Sequence, residues 1–370
     1  MKQDSESKIL IPYWLIMVGK NVVVLVIILA ILLYLTNILT VPLSRALVQL
    51  GNAEFSAGND VFGIVSYNLA QLFNGDLKEA VDHCSALNTQ KQYELAISFC
   101  NKAVEIDHNF AAAYSYRGYA YLNLNKYDLA IADFTRDIEI IPIATRSYIN
   151  RGTVYMKQNK YDLAISDFTK SIGINPKEPQ AYLNRGLSFV QQGESDLAIS
   201  DCNKAIELDE KYWNAYFCLG LAFSGQEKYD LAITNFDKVI ELSPGIQIAY
   251  FTRGLVYNKQ GKKDLAIADY TKAIEIDPNY IESYIERGNA YADTKEFSQA
   301  IADYQKALAI TNDSKTDSYI YCVQGITFTK MGDFESAITS LAKGIKIDYT
   351  SENDWCKSAL DNARQGIPTP

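Results

Sequence analysis

Two different hydrophobic patterns divide this chain. Between Val22 and Leu43 the residues are apolar almost without interruption, with no charge and one strongly polar side chain, Asn37. Such a run is long enough to cross a bilayer as a helix, which takes about 20 residues. Beyond residue 77 the apolar positions recur at helical intervals instead. Tyr182, Arg185, Gly186 and Phe189 mark one face of a first helix at i, i+3, i+4 and i+7, and Ala198, Cys202 and Ala205 mark a second at i, i+4 and i+7. Polar pairs such as Gly193-Glu194 and Asn159-Lys160 separate the two helices. Pro142, Pro176, Pro244 and Pro278 stop the second, because proline cannot continue a helix.

The helical pattern repeats. Gly118, Gly152, Gly186, Gly220, Gly254 and Gly288 stand 34 residues apart, as do Ala96, Ala130, Ala164, Ala198, Ala232, Ala266 and Ala300. Gly325 and Ala337 follow after 37, which makes Lys315, Thr316 and Asp317 a three-residue insertion. Eight units result, from 77–110 in steps of 34 to 281–314 and then 318–351. A helical hairpin of this length cannot bury its apolar face alone, so the units must stack.

The segments YSYRGYAY (114–121), YLNRGLSF (182–189), YDLAISDFTKSI (161–172) and YTKAIEIDP (270–278) closely resemble the tetratricopeptide repeat family. The resemblance implies an all-α fold: a right-handed α-solenoid of helix-turn-helix repeats, the first helix of each pair lining a concave surface. It also implies a protein or peptide as partner. Departures are local: Cys84 and Cys100 stand in the glycine and aromatic columns, Cys202 replaces a ring, and Glu210 and Asn312 replace the proline.

Around the repeats the predicted order is an N-terminal cytoplasmic tail (1–21), a transmembrane helix (22–43) and a degenerate repeat or N-terminal cap (44–76). The eight units (77–351) follow, then a C-terminal capping helix and tail (352–370). Ser44-Arg45-Ala46 loosely imitates a leader cleavage site, but the apolar run exceeds the about 7 to 15 residues usual in a cleaved leader. Lys2, Lys8 and Lys20 precede the span and only Arg45 follows it before Lys78. That asymmetry predicts a single-pass membrane protein with the repeats on the non-cytoplasmic side.

Charge and composition narrow the chemistry. A net charge of -9 leaves no basic field for a phosphate backbone, so nucleic acid is not an expected partner. His83 and His108 are the only histidines, and P-loop, GxGxxG and HExxH motifs are lacking, so neither an enzyme nor a cofactor is expected. His83, Cys84, Cys100 and His108 carry metal-type ligands at a spacing that fits no common zinc pattern, and no metal is expected there.

Three sets of residues stand out. Arg117, Arg151, Arg185, Arg253 and Arg287 precede the glycines, and Asp133, Asp167, Asp201, Asp269 and Asp303 lie 16 residues later. Where the arginine is replaced, by Leu219 and Gln324, the acid is replaced too, by Asn235 and Ser340. This covariation predicts a structural ion pair within each hairpin rather than a free arginine ladder for an acidic peptide. Cys84 and Cys100, like Cys202 and Cys218, are 16 apart on facing helices and are candidate disulfides, with reduced packing thiols as the alternative. Cys322 and Cys356 are 34 apart. That is one stacking step of about 10 Å against a Cα limit of about 7 Å, so this pair is expected to stay reduced.

The third set is a second apolar row on the first helices: Ile149, Leu183, Leu187, Phe217, Leu221, Phe251, Leu255 and Ile285. It is the candidate partner-binding groove, since large apolar patches are uncommon without a partner. The competing reading is that these side chains only touch the neighbouring unit. Related arrays that clamp a carboxylate use Lys, Asn and Arg on this surface, so the apolar row does not fit a carboxylate clamp. The function expected is a membrane-anchored scaffold for protein–protein interaction. The alternative is a self-associating homo-oligomer in an envelope or membrane assembly.

Overall fold

The computed structural model describes residues 75–348 and 354–367, and every regular element among them is a helix. The predicted tail 1–21, the apolar run 22–43, nearly all of the predicted cap 44–76 and the last three residues lie outside the described residues. Among the described residues no helix is long and apolar enough to cross a membrane. The expectation of a single-pass membrane protein, with the sidedness read from the lysines, is corrected on that ground.

The chain forms two compact units, Met1–Ile174 and Asn175–Pro370. The described part of the first consists of three hairpins: α1 (Gly75–Thr89) with α2 (Tyr93–Ile106), α3 (Ala111–Asn123) with α4 (Tyr127–Ile140), and α5 (Thr145–Lys157) with α6 (Tyr161–Ile174). The second unit holds α7 (Pro179–Gln192) with α8 (Ser195–Leu208), α9 (Trp213–Gly225) with α10 (Tyr229–Leu242), α11 (Gln247–Lys259) with α12 (Lys263–Ile276) and α13 (Ile281–Asp293) with α14 (Phe297–Ile310). It ends with α15 (Ser314–Met331), α16 (Phe334–Ile347) and the capping helix α17 (Asp354–Arg364). The three inserted residues lengthen α15 by a turn, to 18 residues, and Asp313 caps it by accepting from Thr316 N at 2.8 Å.

Small residues set how closely the two helices of a hairpin approach. The alanine column from Ala96 to Ala300 is fully enclosed. Opposite it, a Cβ at Gly152 would come within 2.7 Å of the Phe168 ring, and one at Gly220 within 2.6 Å of Phe236. Only glycine lets the second helix lay its ring on the backbone of the first. Burying a phenylalanine in this way stabilises the hairpin by about 3 kcal/mol. The link between the helices turns on one left-handed residue, again at the 34-residue period: Asn125 (φ 57°), Asn159 (φ 57°), Gly193 (φ 79°), Glu227 (φ 59°) and Gly261 (φ 75°). Between hairpins, Asp107, Asp209 and Asp277 each accept from the backbone N–H two residues on, at 3.0 Å, closing the turn that releases the chain into the next first helix.

Candidate functional site

The five arginines all reach the aspartates 16 residues later. Nε and Nη2 of each donate to the two carboxylate oxygens: 2.8 and 2.7 Å for Arg117 on Asp133, 2.8 and 2.8 Å for Arg151 on Asp167, and 2.7 and 2.8 Å for Arg185 on Asp201. Arg253 on Asp269 (2.8 and 2.6 Å) and Arg287 on Asp303 (2.8 and 2.7 Å) are the same. Each guanidinium also lies over a ring one turn earlier, with Arg117 5.3 Å from the centroid of Tyr114. The hydrogen bond to Asp133 raises Arg117 above its ordinary value, while burial pushes the Asp133 carboxyl up against the opposing pull of Arg117. The sequence did not show the third contact. Nη1 of Arg117 donates to Asn101 at 2.7 Å, Nη1 of Arg151 to Thr135 at 2.9 Å, and Nη1 of Arg287 to Thr271 at 3.0 Å, in each case on the preceding hairpin. The polar column 16 residues before the arginines was the available signal.

All six cysteines are disulfide-bonded. Cys84 joins Cys100 and Cys202 joins Cys218, with Cα–Cα distances of 5.4 and 6.1 Å. Cys322 joins Cys356 at 5.6 Å, which corrects the expectation that this pair stays reduced. The reason is geometric. A spacing of about 10 Å separates helix axes, whereas Cα atoms on facing sides are each about 2.3 Å nearer the partner, leaving about 5 to 6 Å between them. His83 lies 5.0 Å from the Phe99 ring and His108 faces the Val104 carbonyl. Among the described residues these side chains form no cluster able to hold a metal.

The apolar row divides. Ile149, Leu183 and Ile285 are 4%, 4% and 8% exposed and leave the candidate surface. Leu187, Phe217, Leu221, Phe251 and Leu255 are half-buried. Phe217 sets its edge against Phe236 at 5.5 Å, and Phe251 packs on Tyr270 at 5.8 Å and Tyr280 at 5.2 Å. Both rings therefore serve packing as well as surface.

Two further features were not read from the sequence. On the second helices, Leu95, Leu129 and Leu163 in one unit and Leu197, Leu231 and Leu265 in the other are 47–49% exposed, a leucine column visible in the YDLAI segments. In the first unit Asp137 is buried where Ala103, Ala205, Ala273 and Ala307 stand in other hairpins. Its carboxylate accepts from Ser147, whose hydroxyl lies 3.2 Å from that of Ser115.

Stacked helical hairpins cross-braced by buried arginine–aspartate pairs define a helical repeat scaffold. The chain matches the tetratricopeptide repeat over residues 145–178, 179–212 and 248–280, over 281–314, over 99–132, and over 85–110, 214–246 and 318–350. These segments span well over half of it, and the protein belongs to the tetratricopeptide repeat family, whose members are typically non-enzymatic scaffolds. No curated protein matches the sequence. Among solved structures, one chain of the APC/C hetero-tetramer Cut9-Hcn1 is similar with a TM-score of 0.56 and 19% identity, over 80% of this chain and 59% of that one. A tetratricopeptide repeat protein from Parabacteroides merdae gives 0.52 and 19% identity, over 69% and 98%. Pseudomonas aeruginosa pilF gives 0.50 and 16%, over 60% and 97%. At these identities the likeness shows the fold alone.

Proposed function

We propose that the chain is a protein-binding scaffold that holds an apolar segment of a partner protein against the first helices of its 175–370 unit. The observation that carries this reading is the row Leu187, Phe217, Leu221, Phe251 and Leu255, which runs over α7, α9 and α11 and remains half-buried, with Ile248 beside it 39% exposed. Membership of the family supports it, since tetratricopeptide repeat proteins bind protein or peptide partners. Docking an apolar segment removes the remaining water from this row, at about 25 cal/mol per Å² before ordering costs. Such binding depends only weakly on salt, unlike an exposed charge clamp, whose attraction is screened over about 10 Å.

The test pans a phage-displayed random dodecapeptide library over the full-length chain and titrates the selected peptides against wild type and L221Q/L255Q. The leucines are chosen because Phe217 and Phe251 make ring contacts with Phe236 and Tyr270; Leu221 and Leu255 touch the same clusters, so thermal melts first establish that the variant is folded. Apolar peptides that bind wild type and lose affinity for the folded variant support the groove. Absence of enrichment, or binding untouched by the substitutions, overturns it.

A further inference from the structure

Three leucines of the first unit, Leu95 on α2, Leu129 on α4 and Leu163 on α6, hold one place on successive second helices and are 48%, 49% and 49% exposed. Three residues further along each helix stands a small exposed residue: Ser98, Ala132 and Ser166. A row of knobs therefore runs beside a row of hollows, at the spacing of about 10 Å between neighbouring helices. Apolar rows of this kind are uncommon on a surface that meets only water. Leu197, Leu231 and Leu265 repeat the row in the second unit, so the leucines alone do not say what covers it.

The flanking charges distinguish the first unit. In the acidic column beside the leucines, Asp128 accepts from Gln158 at 3.4 Å, Asp196 from Gln226 at 2.7 Å and Asp230 from Gln260 at 2.9 Å, each glutamine lying 30 residues on. Glu94 holds that place on α2, and 30 residues on stands Leu124, whose side chain cannot donate. In the basic column Arg136 pairs with Glu139 at 3.0 Å, Lys204 with Glu207 at 2.8 Å, Lys238 with Glu241 at 2.6 Å and Lys272 with Glu275 at 2.8 Å. Lys170 holds that place on α6, and three residues on stands Gly173. A surface hollow of about 540 Å³ opens there, lined by Ser166, Thr169, Lys170, Gly173 and Ile174. Asp167, the nearest acid on the same helix, is held by Arg151 at 2.8 Å. Glu94 and Lys170 are both exposed, and among the described residues neither makes an ion pair. An acid at one edge of this three-helix face and a base at the other thus lack the partners that equivalent hairpins supply.

Such a face is complementary to itself. Glu94 lies in the first turn of α2 and Lys170 near the C-terminus of α6. A two-fold axis through α4, perpendicular to the face, reverses both the order of the helices and their direction. It lays α2 of one copy on α6 of the other, so that Leu129 meets Ala132, Leu95 meets Ser166 and Leu163 meets Ser98 across the axis. The same rotation brings each Glu94 to the Lys170 of the other copy. We propose that the outer face of α2, α4 and α6 binds a second copy of this chain across such an axis, with leucines seated on small residues and Glu94 paired with Lys170 at both edges. This interface is separate from the groove on the first helices of the 175–370 unit. Three helices of 14 residues, each about 21 Å long and about 10 Å from the next, present about 600 Å² per copy, or about 1,200 Å² in the dimer. That is the lower end for a specific interface, so the dimer forms in a concentration-dependent way and responds to the loss of single contacts.

Sedimentation velocity of the full-length chain, from about 1 to 100 μM, measures the association. Wild type is expected to pass from monomer to dimer over this range. E94K sets a lysine against Lys170 and K170E sets a glutamate against Glu94, twice per dimer in each case, and each should weaken the dimer at least about tenfold. Both positions are exposed, so thermal melts of the variants should match wild type. An equimolar mixture of E94K with K170E recovers two contacts of opposite charge, as does the double variant E94K/K170E, and both should return to within about threefold of wild type. A chain that stays monomeric throughout overturns the proposal and leaves the face to a different protein. Association that E94K and K170E leave unchanged also overturns it, since the contact then lies on another surface, and so does a loss that the mixture fails to restore.

Discussion

Arg151 grips Asp167 with two parallel hydrogen bonds of 2.8 Å, and its remaining nitrogen crosses to Thr135 at 2.9 Å. One side chain thereby ties α4, α5 and α6 together. Asp167 is only 5% exposed, so removing the arginine strands a buried charge. R151L is therefore expected to cost about 3 to 5 kcal/mol in urea unfolding, as for other broken buried pairs. The double change R151L/D167N should recover most of that loss, because Leu219 with Asn235 already fills the same two columns elsewhere in the chain. Losses that simply add would show the two residues to be uncoupled.

How much of this was legible depends on whether the sequence repeats the information. The 34-residue period, the glycine and alanine columns and the 16-residue Arg–Asp offset are each written several times, so chance is excluded by recurrence. Contacts between hairpins are written less plainly. The i, i+4 spacing of Leu183 and Leu187 shows that both lie on one helix face, but not that Leu183 is covered at 4% exposure while Leu187 is half-buried. Cys322 with Cys356 failed on distance, since sequence spacing gave the axis separation and the bond depends on which sides face. Asp137 was missed because it is the one acid in a column otherwise held by Ala103, Ser171, Ala205, Val239, Ala273 and Ala307, and a residue type that occurs once gives no periodic signal.

Asp137 makes the stability of the first unit depend on pH. Burial pushes its carboxyl up from 3.8 to about 6, opposed by hydroxyl hydrogen bonds from Ser147 and Ser115. The folded state therefore holds this proton more tightly than the unfolded chain. Its contribution to stability is fully present below about pH 4 and is lost as pH rises through about 6, by roughly 3 kcal/mol in all. D137N cannot titrate. Comparing thermal melts of wild type and D137N from pH 4 to 7, wild type should lose stability relative to the variant as pH rises, and parallel curves would contradict the assignment.

The Cys322–Cys356 bond closes a separation of 34 residues and fastens the capping helix α17 to the last hairpin. Beneath it, Cys322, Leu341, Ile345, Ala359 and Leu360 share one buried cluster. Cross-linking a loop of this length restricts the unfolded chain, so C322S/C356S should lower stability by about 2 to 4 kcal/mol. Limited proteolysis should cut between α16 and α17 faster in that variant, or in dithiothreitol, than in the oxidised protein. Mass spectrometry of non-reduced peptides checks the pairing directly, and a free thiol at either position would remove the argument.

Glu227 sits at φ 59° in the left-handed column that Gly193 and Gly261 fill without strain. For a residue with a Cβ that conformation costs about 1 to 2 kcal/mol, whereas glycine adopts it freely and gives back some of the gain in unfolded-state entropy. Its negative charge also lies just past the C-terminus of α9, where the helix dipole disfavours an anion. E227G should therefore stabilise the protein by about 0.5 to 1 kcal/mol, with G261A losing a similar amount as the reverse case. E227K separates the two causes, since it removes the unfavourable charge and keeps the Cβ. If E227K matches E227G in thermal melts, electrostatics explains the gain; if E227G alone stabilises, the backbone conformation does, and a neutral or destabilising E227G would show that this turn stores no strain.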